Sequence, residues 1–168
     1  MLRELAVQNL ALIEDVRVEL HAGFCAWTGE TGAGKSLLLG ALGLLLGERG
    51  SADLIRTGAE ELRVTGQFDL NRPEQRAAAA EILQSDVNED ELILTRRLSR
   101  SGRSSALVND LPVAVATLRR IGEMLVDVHG QRESYSLLQP AYQLELLDAF
   151  GKLTDQRAKY VSKADRVR

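Results

Sequence analysis

The sequence predicts an α/β fold, on three observations. Gly29-Glu30-Thr31-Gly32-Ala33-Gly34-Lys35-Ser36 fits the pattern G-x-x-x-x-G-K-[ST] at every fixed position. It is flanked as that pattern requires: Phe24–Thr28 has the composition of a short apolar strand, and Leu37–Leu46 that of a buried helix. Further along, runs suited to strands are interleaved with runs suited to helices.

In order, Leu2–Val7 alternates well enough for a strand, Gln8-Asn9 signals a turn, and Ala11–Leu20 resumes as a second strand with Leu12, Val16, Val18 and Leu20 apolar. His21-Ala22-Gly23 turns the chain into the Phe24–Thr28 strand. The following helix carries Gly40 and Gly43, each costing about 1 kcal/mol against Ala. Close packing against a sheet would explain them, and Gly47 stops the helix. Glu48–Gly58 is a polar connection bearing Arg49 and Arg56. Leu62–Leu70 suits a strand with Val64, Gly66 and Phe68 on one face. Pro73 opens a helix at its favoured first position, continued by Ala77–Ala80 and Ile82-Leu83. Glu91–Leu98 and Ser105–Asn109 suit paired strands around a turn at Ser101-Gly102-Arg103-Ser104. Val113–Ile121 suits a short helix and Met124–Val128 an apolar run. Ala141–Arg168 has helical composition throughout, its second half polar and charged, as in a helix that leaves a globular body.

The glycine-rich stretch has a chemical reading. A polyphosphate is a dense anion, best wrapped by backbone N–H groups. Gly29, Gly32 and Gly34 let the backbone curl close without a Cβ in the way. The first turn of the next helix adds unpaired N–H groups and a positive dipole end. Lys35 suits a position between β- and γ-phosphates, and the Ser36 hydroxyl suits Mg²⁺.

The chain's 168 residues suit one domain of ordinary size, and 45% hydrophobic content is enough for a packed core. A net charge of −3 excludes a strongly basic nucleic-acid coat but leaves room for a local basic face. The single Cys25 can form no internal disulfide; its apolar surroundings suggest a buried small hydrophobe in a reducing compartment. Met1-Leu2-Arg3-Glu4 lacks the opening of a signal peptide, and Leu37–Leu46 has about half the length a membrane span needs. The expectation is a cytosolic protein without membrane contact. The end at Lys163–Arg168, in mid-pattern with no helix stop, suggests one half of something larger.

Several pieces together resemble the SMC-like ATPases. They are Gln8-Asn9-Leu10-Ala11-Leu12-Ile13, the phosphate loop with Leu42-Gly43-Leu44-Leu45-Leu46-Gly47-Glu48-Arg49 after it, Thr95-Arg96-Arg97-Leu98 with Gly102-Arg103-Ser104, and Val126-Asp127-Val128-His129-Gly130-Gln131. The resemblance implies the N-terminal lobe of an ABC-type ATPase head: a mixed β-sheet around the phosphate-loop helix over residues 1–140, and the root of a coiled-coil arm over 141–168. It implies ATP and Mg²⁺ as cofactors, with completion by a C-terminal half of the same head. It further implies homodimers through the heads or the coiled coil, and DNA double-strand ends as target in break repair and recombination. The setting implied is the bacterial cytoplasm, at the nucleoid.

Residue by residue, the resemblance implies nucleotide contact along Gly29, Glu30, Thr31, Gly32, Ala33, Gly34, Lys35, Ser36 and Leu37, with Asn9 near the base and Arg56 near nucleotide or DNA. Lys35 and Gln131 are the implied catalytic residues, and Ser36 and Gln131 the implied metal ligands. An amide that both donates and accepts suits Gln131 to sensing a metal and a water together. Met124-Leu125-Val126-Asp127 imitates a metal-binding strand, but Val128 follows where a catalytic Glu would stand, so Asp127 is assigned a structural strand-end role. No L-S-G-G-like signature is present. In that family the missing pieces belong to the C-terminal segment, so this chain by itself should bind nucleotide weakly and hydrolyse it poorly. His129 is assigned a loop role and Trp27 a core role. Arg96, Arg97, Arg100, Arg103, Arg119 and Arg120 form a basic concentration suited to DNA phosphates. Two other readings stay open: a transporter's ATP-binding subunit, and a module that binds nucleotide for structure only.

Overall fold

The computed structural model describes residues 1–28, 34–87, 90–128 and 140–164. Chain contacts divide it into two units, Met1–Val126 and Asp127–Arg168.

The first unit is built on a six-stranded sheet in the order β2-β1-β3-β4-β5-β6, each pair antiparallel. The strands are β1 (Leu2–Leu10), β2 (Ile13–Glu19), β3 (Glu61–Asp69), β4 (Glu91–Ser99), β5 (Ser104–Val108) and β6 (Leu111–Val113). Alternation along β3 and β4 sends Leu62, Val64, Phe68, Leu92, Leu94 and Leu98 to one face, where they are buried. Helix α1 (Gly34–Leu45) packs on β1, β3 and β4, and α3 (Val115–Leu125) on β5 and on α2 (Pro73–Leu83). Ala41, Leu44 and Leu45 of α1 and Leu118 and Ile121 of α3 complete the core.

The expected alternation of Val64, Gly66 and Phe68 is observed, and it explains how α1 sits so close. A Cβ on Gly66 would overlap Leu45 Cδ2. The room for helix–sheet contact is therefore made by a glycine in the sheet, not by the helix glycines as expected. A Cβ at Gly40 would meet nothing within 4 Å, and one at Gly43 would meet the Glu48 carboxylate. Gly47 does end the α1 region: its φ of +91° suits glycine, and Arg119 of α3 crosses directly over it.

Four local expectations are corrected. The first strand runs to Leu10, and the turn falls at Ala11-Leu12 instead of Gln8-Asn9. Phe24–Thr28 is not a strand: no strand partner lies beside it among the described residues, and a strand persists through its ladder. Phe24 is 94% exposed there, and Cys25 is exposed too, its thiol 3.5 Å from the His21 carbonyl. Val113 belongs to β6, where Pro112 is tolerated at the sheet edge, and α3 starts two residues later. That helix runs on through Met124 and Leu125, so the strand imagined there does not form, and Asp127 follows a helix.

The second unit holds α4 (Pro140–Phe150) and α5 (Thr154–Ala164). Over the described residues, to Ala164, the expected helical character of Ala141–Arg168 is borne out, but the helix is interrupted at 151–153. Lys152 takes φ +54°, and the Gly151, Lys152 and Leu153 N–H groups fold back onto the carbonyls of Leu147, Ala149 and Asp148. An ion pair of 3.2 Å between Asp148 and Arg157 spans the break. Among the described residues no helix is long and apolar enough to cross a membrane.

Candidate nucleotide site

Helix α1 begins at Gly34, inside the glycine-rich motif, because its apolar run Leu37, Leu38, Ala41, Leu42, Leu44 and Leu45 packs against the sheet. Gly29, Glu30, Thr31, Gly32 and Ala33 lie outside the described residues, as does Gln131. The rest of the motif occupies the first turn of α1. Gly34 and Ser36 are exposed there, Lys35 and Leu37 half-buried, and Leu37 turns back to the core. No acidic side chain stands in that turn, so the positive dipole end is not offset by the helix's own residues. Among the described residues a Cβ at Gly34 would meet nothing within 4 Å, so they leave the backbone there open to close approach. Open backbone, a hydroxyl and a lysine at a helix N-terminus fit an anionic phosphate group and its metal.

Asn9 and Arg56 are brought together. The Arg56 N–H donates to the Asn9 carbonyl at 2.9 Å, the Ala11 N–H to the Leu54 carbonyl at 2.8 Å, and Leu10 bridges Ile55. Asn9 has φ +57°, a left-handed conformation that Asn tolerates better than most residues. The Arg56 guanidinium folds over the β1–β2 turn: Nη1 donates to the Leu12 carbonyl at 2.8 Å, and Nη2 lies 3.6 Å from a Glu14 carboxylate oxygen. Its side chain keeps 35% of its exposure. Sequence reasoning missed what holds this segment. Arg100 Nη2 donates to the Arg56 carbonyl at 2.9 Å and Nε to the Ala59 carbonyl at 2.5 Å. No local pattern marks a clasp across 44 residues.

The basic concentration separates into different environments. Arg96 is 4% exposed on the core face, between Val64 and Ala106 in register. Its Nε and Nη1 have no hydrogen-bond partner among the described residues, and burial pushes the guanidinium pKa down. Arg100 is occupied by carbonyls, and Arg119 by Glu123 at 3.1 Å. Arg120 is exposed on α3. Arg97 and Arg103 lie together on the sheet's other side, lining one cleft. The core role expected of Trp27 is borne out: it is half-buried against the core cluster.

No protein-family model matches the chain. It is similar to DNA repair protein RecN of Halalkalibacterium halodurans, 41% identical over 150 residues that make up 89% of this chain and 26% of that protein. It is similar to DNA repair protein RecN of Bacillus subtilis, 38% identical over 150 residues, with the same shares of 89% and 26%. The chain therefore spans about a quarter of the length of these curated relatives. Among solved structures, the Smc head domain with a coiled coil and joint from Pyrococcus yayanosii superposes with a TM-score of 0.68 at 20% identity. The match covers 98% of this chain and 35% of that one.

Proposed function

The chain belongs to the RecN family of SMC-like ATPase heads, and we propose that it is the ATP-binding N-terminal segment of such a head, acting in DNA double-strand break repair. The observation that carries this reading is the first turn of α1. There Gly34, Lys35 and Ser36 of a full phosphate-loop pattern stand at an open helix N-terminus on the sheet.

In this reading the glycine-rich backbone from Gly29 to Gly34 and the α1 N–H groups hold the β- and γ-phosphates. Lys35 supplies the point charge between them, and Leu37 anchors the turn to the core. Asn9 and Arg56, linked to each other across the β1–β2 turn, border the same nucleotide. The Ser36 hydroxyl and the Gln131 amide are the groups that would hold Mg²⁺. When bound, Mg²⁺ neutralises charge developing on the phosphate oxygens. Lys35 and Gln131 are then the residues of this segment that act on the γ-phosphate, the lysine by charge and the glutamine by orienting a water.

The rest of the head comes from elsewhere in the full-length protein. The bare edges and exposed Phe24 of Phe24–Thr28 support a sheet continued by that C-terminal half. Residues 1–140 would then be the N-terminal half of the head and 141–168 the root of its coiled-coil arm. Head and arm contacts would build a homodimer that tethers DNA ends in the bacterial cytoplasm. The test is Lys35→Ala in the full-length protein. Loss of ATP turnover by about 100-fold or more, with the fold retained, is expected from removing a transition-state charge. Normal turnover would overturn the reading.

A further inference from the structure

Among the described residues, six arginines face a carboxylate: Arg3, Arg17, Arg56, Arg76, Arg119 and Arg157. Three on the outer face of the sheet do not. Arg63 of β3 and Arg97 of β4 are direct cross-strand partners, so two like charges stand side by side. Such a pair is unfavourable by about 0.2–1 kcal/mol. Arg103 follows on the β4–β5 hairpin, whose turn is closed by Ser99 N–H to the Arg103 carbonyl at 2.9 Å. None of the three side chains has an ion pair or hydrogen bond among the described residues, and Arg97 Nε is buried without a partner.

Around Arg97 and Arg103 the surface forms a cleft of about 690 Å³, also lined by Ser99, Ser101, Ser104 and Ser105. Glu61 lines it too, the single carboxylate among its lining residues. Guanidinium forks and hydroxyl donors, with little opposing charge, match the oxygens of phosphodiesters. No aromatic side chain is among the lining residues, so base stacking has no platform there.

We propose that this cleft, with Arg63 beside it, is the seat of a duplex DNA backbone: Arg97 and Arg103 each take a phosphate, and the serine hydroxyls fix its register. The proposal deepens the DNA-handling part of the function above and rests on it. It also replaces the basic concentration suggested by sequence with a smaller set, dropping Arg96, Arg100, Arg119 and Arg120 and adding Arg63.

The test measures anisotropy of a fluorescein-labelled duplex of mixed sequence with the full-length protein over a salt series. Arg97→Gln/Arg103→Gln should weaken binding about tenfold at low salt and flatten the log K against log salt slope by about 2, one unit per lost phosphate contact. Ser101→Glu, at an exposed hairpin position whose hydroxyl pairs with that of Ser99 at 2.7 Å, should weaken binding as well, with circular dichroism checking that the fold is kept. Arg120→Gln should leave it unchanged. If wild-type protein binds duplex and the double variant and Ser101→Glu bind with the same affinity and slope, this assignment is overturned while the DNA reading stands. If wild type binds no duplex, both fall. If the double variant loses a fluorescent ATP analogue but keeps DNA, the cleft belongs to nucleotide phosphates and the proposal is overturned.

Discussion

On one face of the sheet Leu5, Val7, Val64, Phe68, Leu92 and Leu94 are shut away beneath α1 and α3. On the other face the same strands present Gln8, Arg63, Arg97 and Ser105 in one row, and Ala6, Thr65, Thr95 and Leu107 in the next. Thr65 and Thr95 share a 3.3 Å hydroxyl contact, which keeps the buried Thr95 hydroxyl hydrogen-bonded. Arg96 and Arg97 are neighbours in the chain and occupy these two environments. The difference teaches that the covered face is organised for packing with one exception, Arg96, and that the open face concentrates its charge in one row, at Arg63 and Arg97.

Substitutions can break or sharpen that contrast. The largest effect belongs to Phe68→Ala, which empties a fully buried site. It should cost about 3–5 kcal/mol in chemical denaturation, and a loss under 1 kcal/mol would mean the face is loosely packed. Gly66→Ala pushes a methyl into Leu45 and should cost about 1–3 kcal/mol in the same assay. Arg96→Met removes a buried guanidinium with unpaired nitrogens and should stabilise this chain by about 1–3 kcal/mol. A destabilised Arg96→Met would show that the cation has a partner holding it. The smallest effect is Arg63→Thr on the open face. It relieves the pair with Arg97 and should raise stability by about 0.2–1 kcal/mol while weakening duplex binding.

Much of this contrast could be read from the residues. The two-residue period of Leu62–Leu70 names the covered side of β3, and the same rule applied to Thr95-Arg96-Arg97-Leu98 already sends adjacent arginines to opposite sides. The entry into α1 was legible because glycine spacing and an apolar run agree. Arg63 was not, because its place beside Arg97 depends on register across a 21-residue connection between β3 and β4. Phe24–Thr28 was misread for a related reason. Its composition suits a strand, but a strand is a property of two segments, and no partner for it lies among the described residues. For the candidate site, Lys35 and Ser36 were legible from the motif, whereas the joining of Asn9 to Arg56 is a long-range backbone hydrogen bond, with Arg100 holding the Arg56 carbonyl, and no local pattern marks either contact.

The exposed segment at Phe24–Thr28 has a practical consequence. With Phe24 exposed and no strand partner for this segment among the described residues, this polypeptide carries an open apolar edge, and in solution such edges find one another. Light scattering of the purified segment should therefore report self-association that grows with concentration. Co-production with whatever covers that edge is the route to a well-behaved sample.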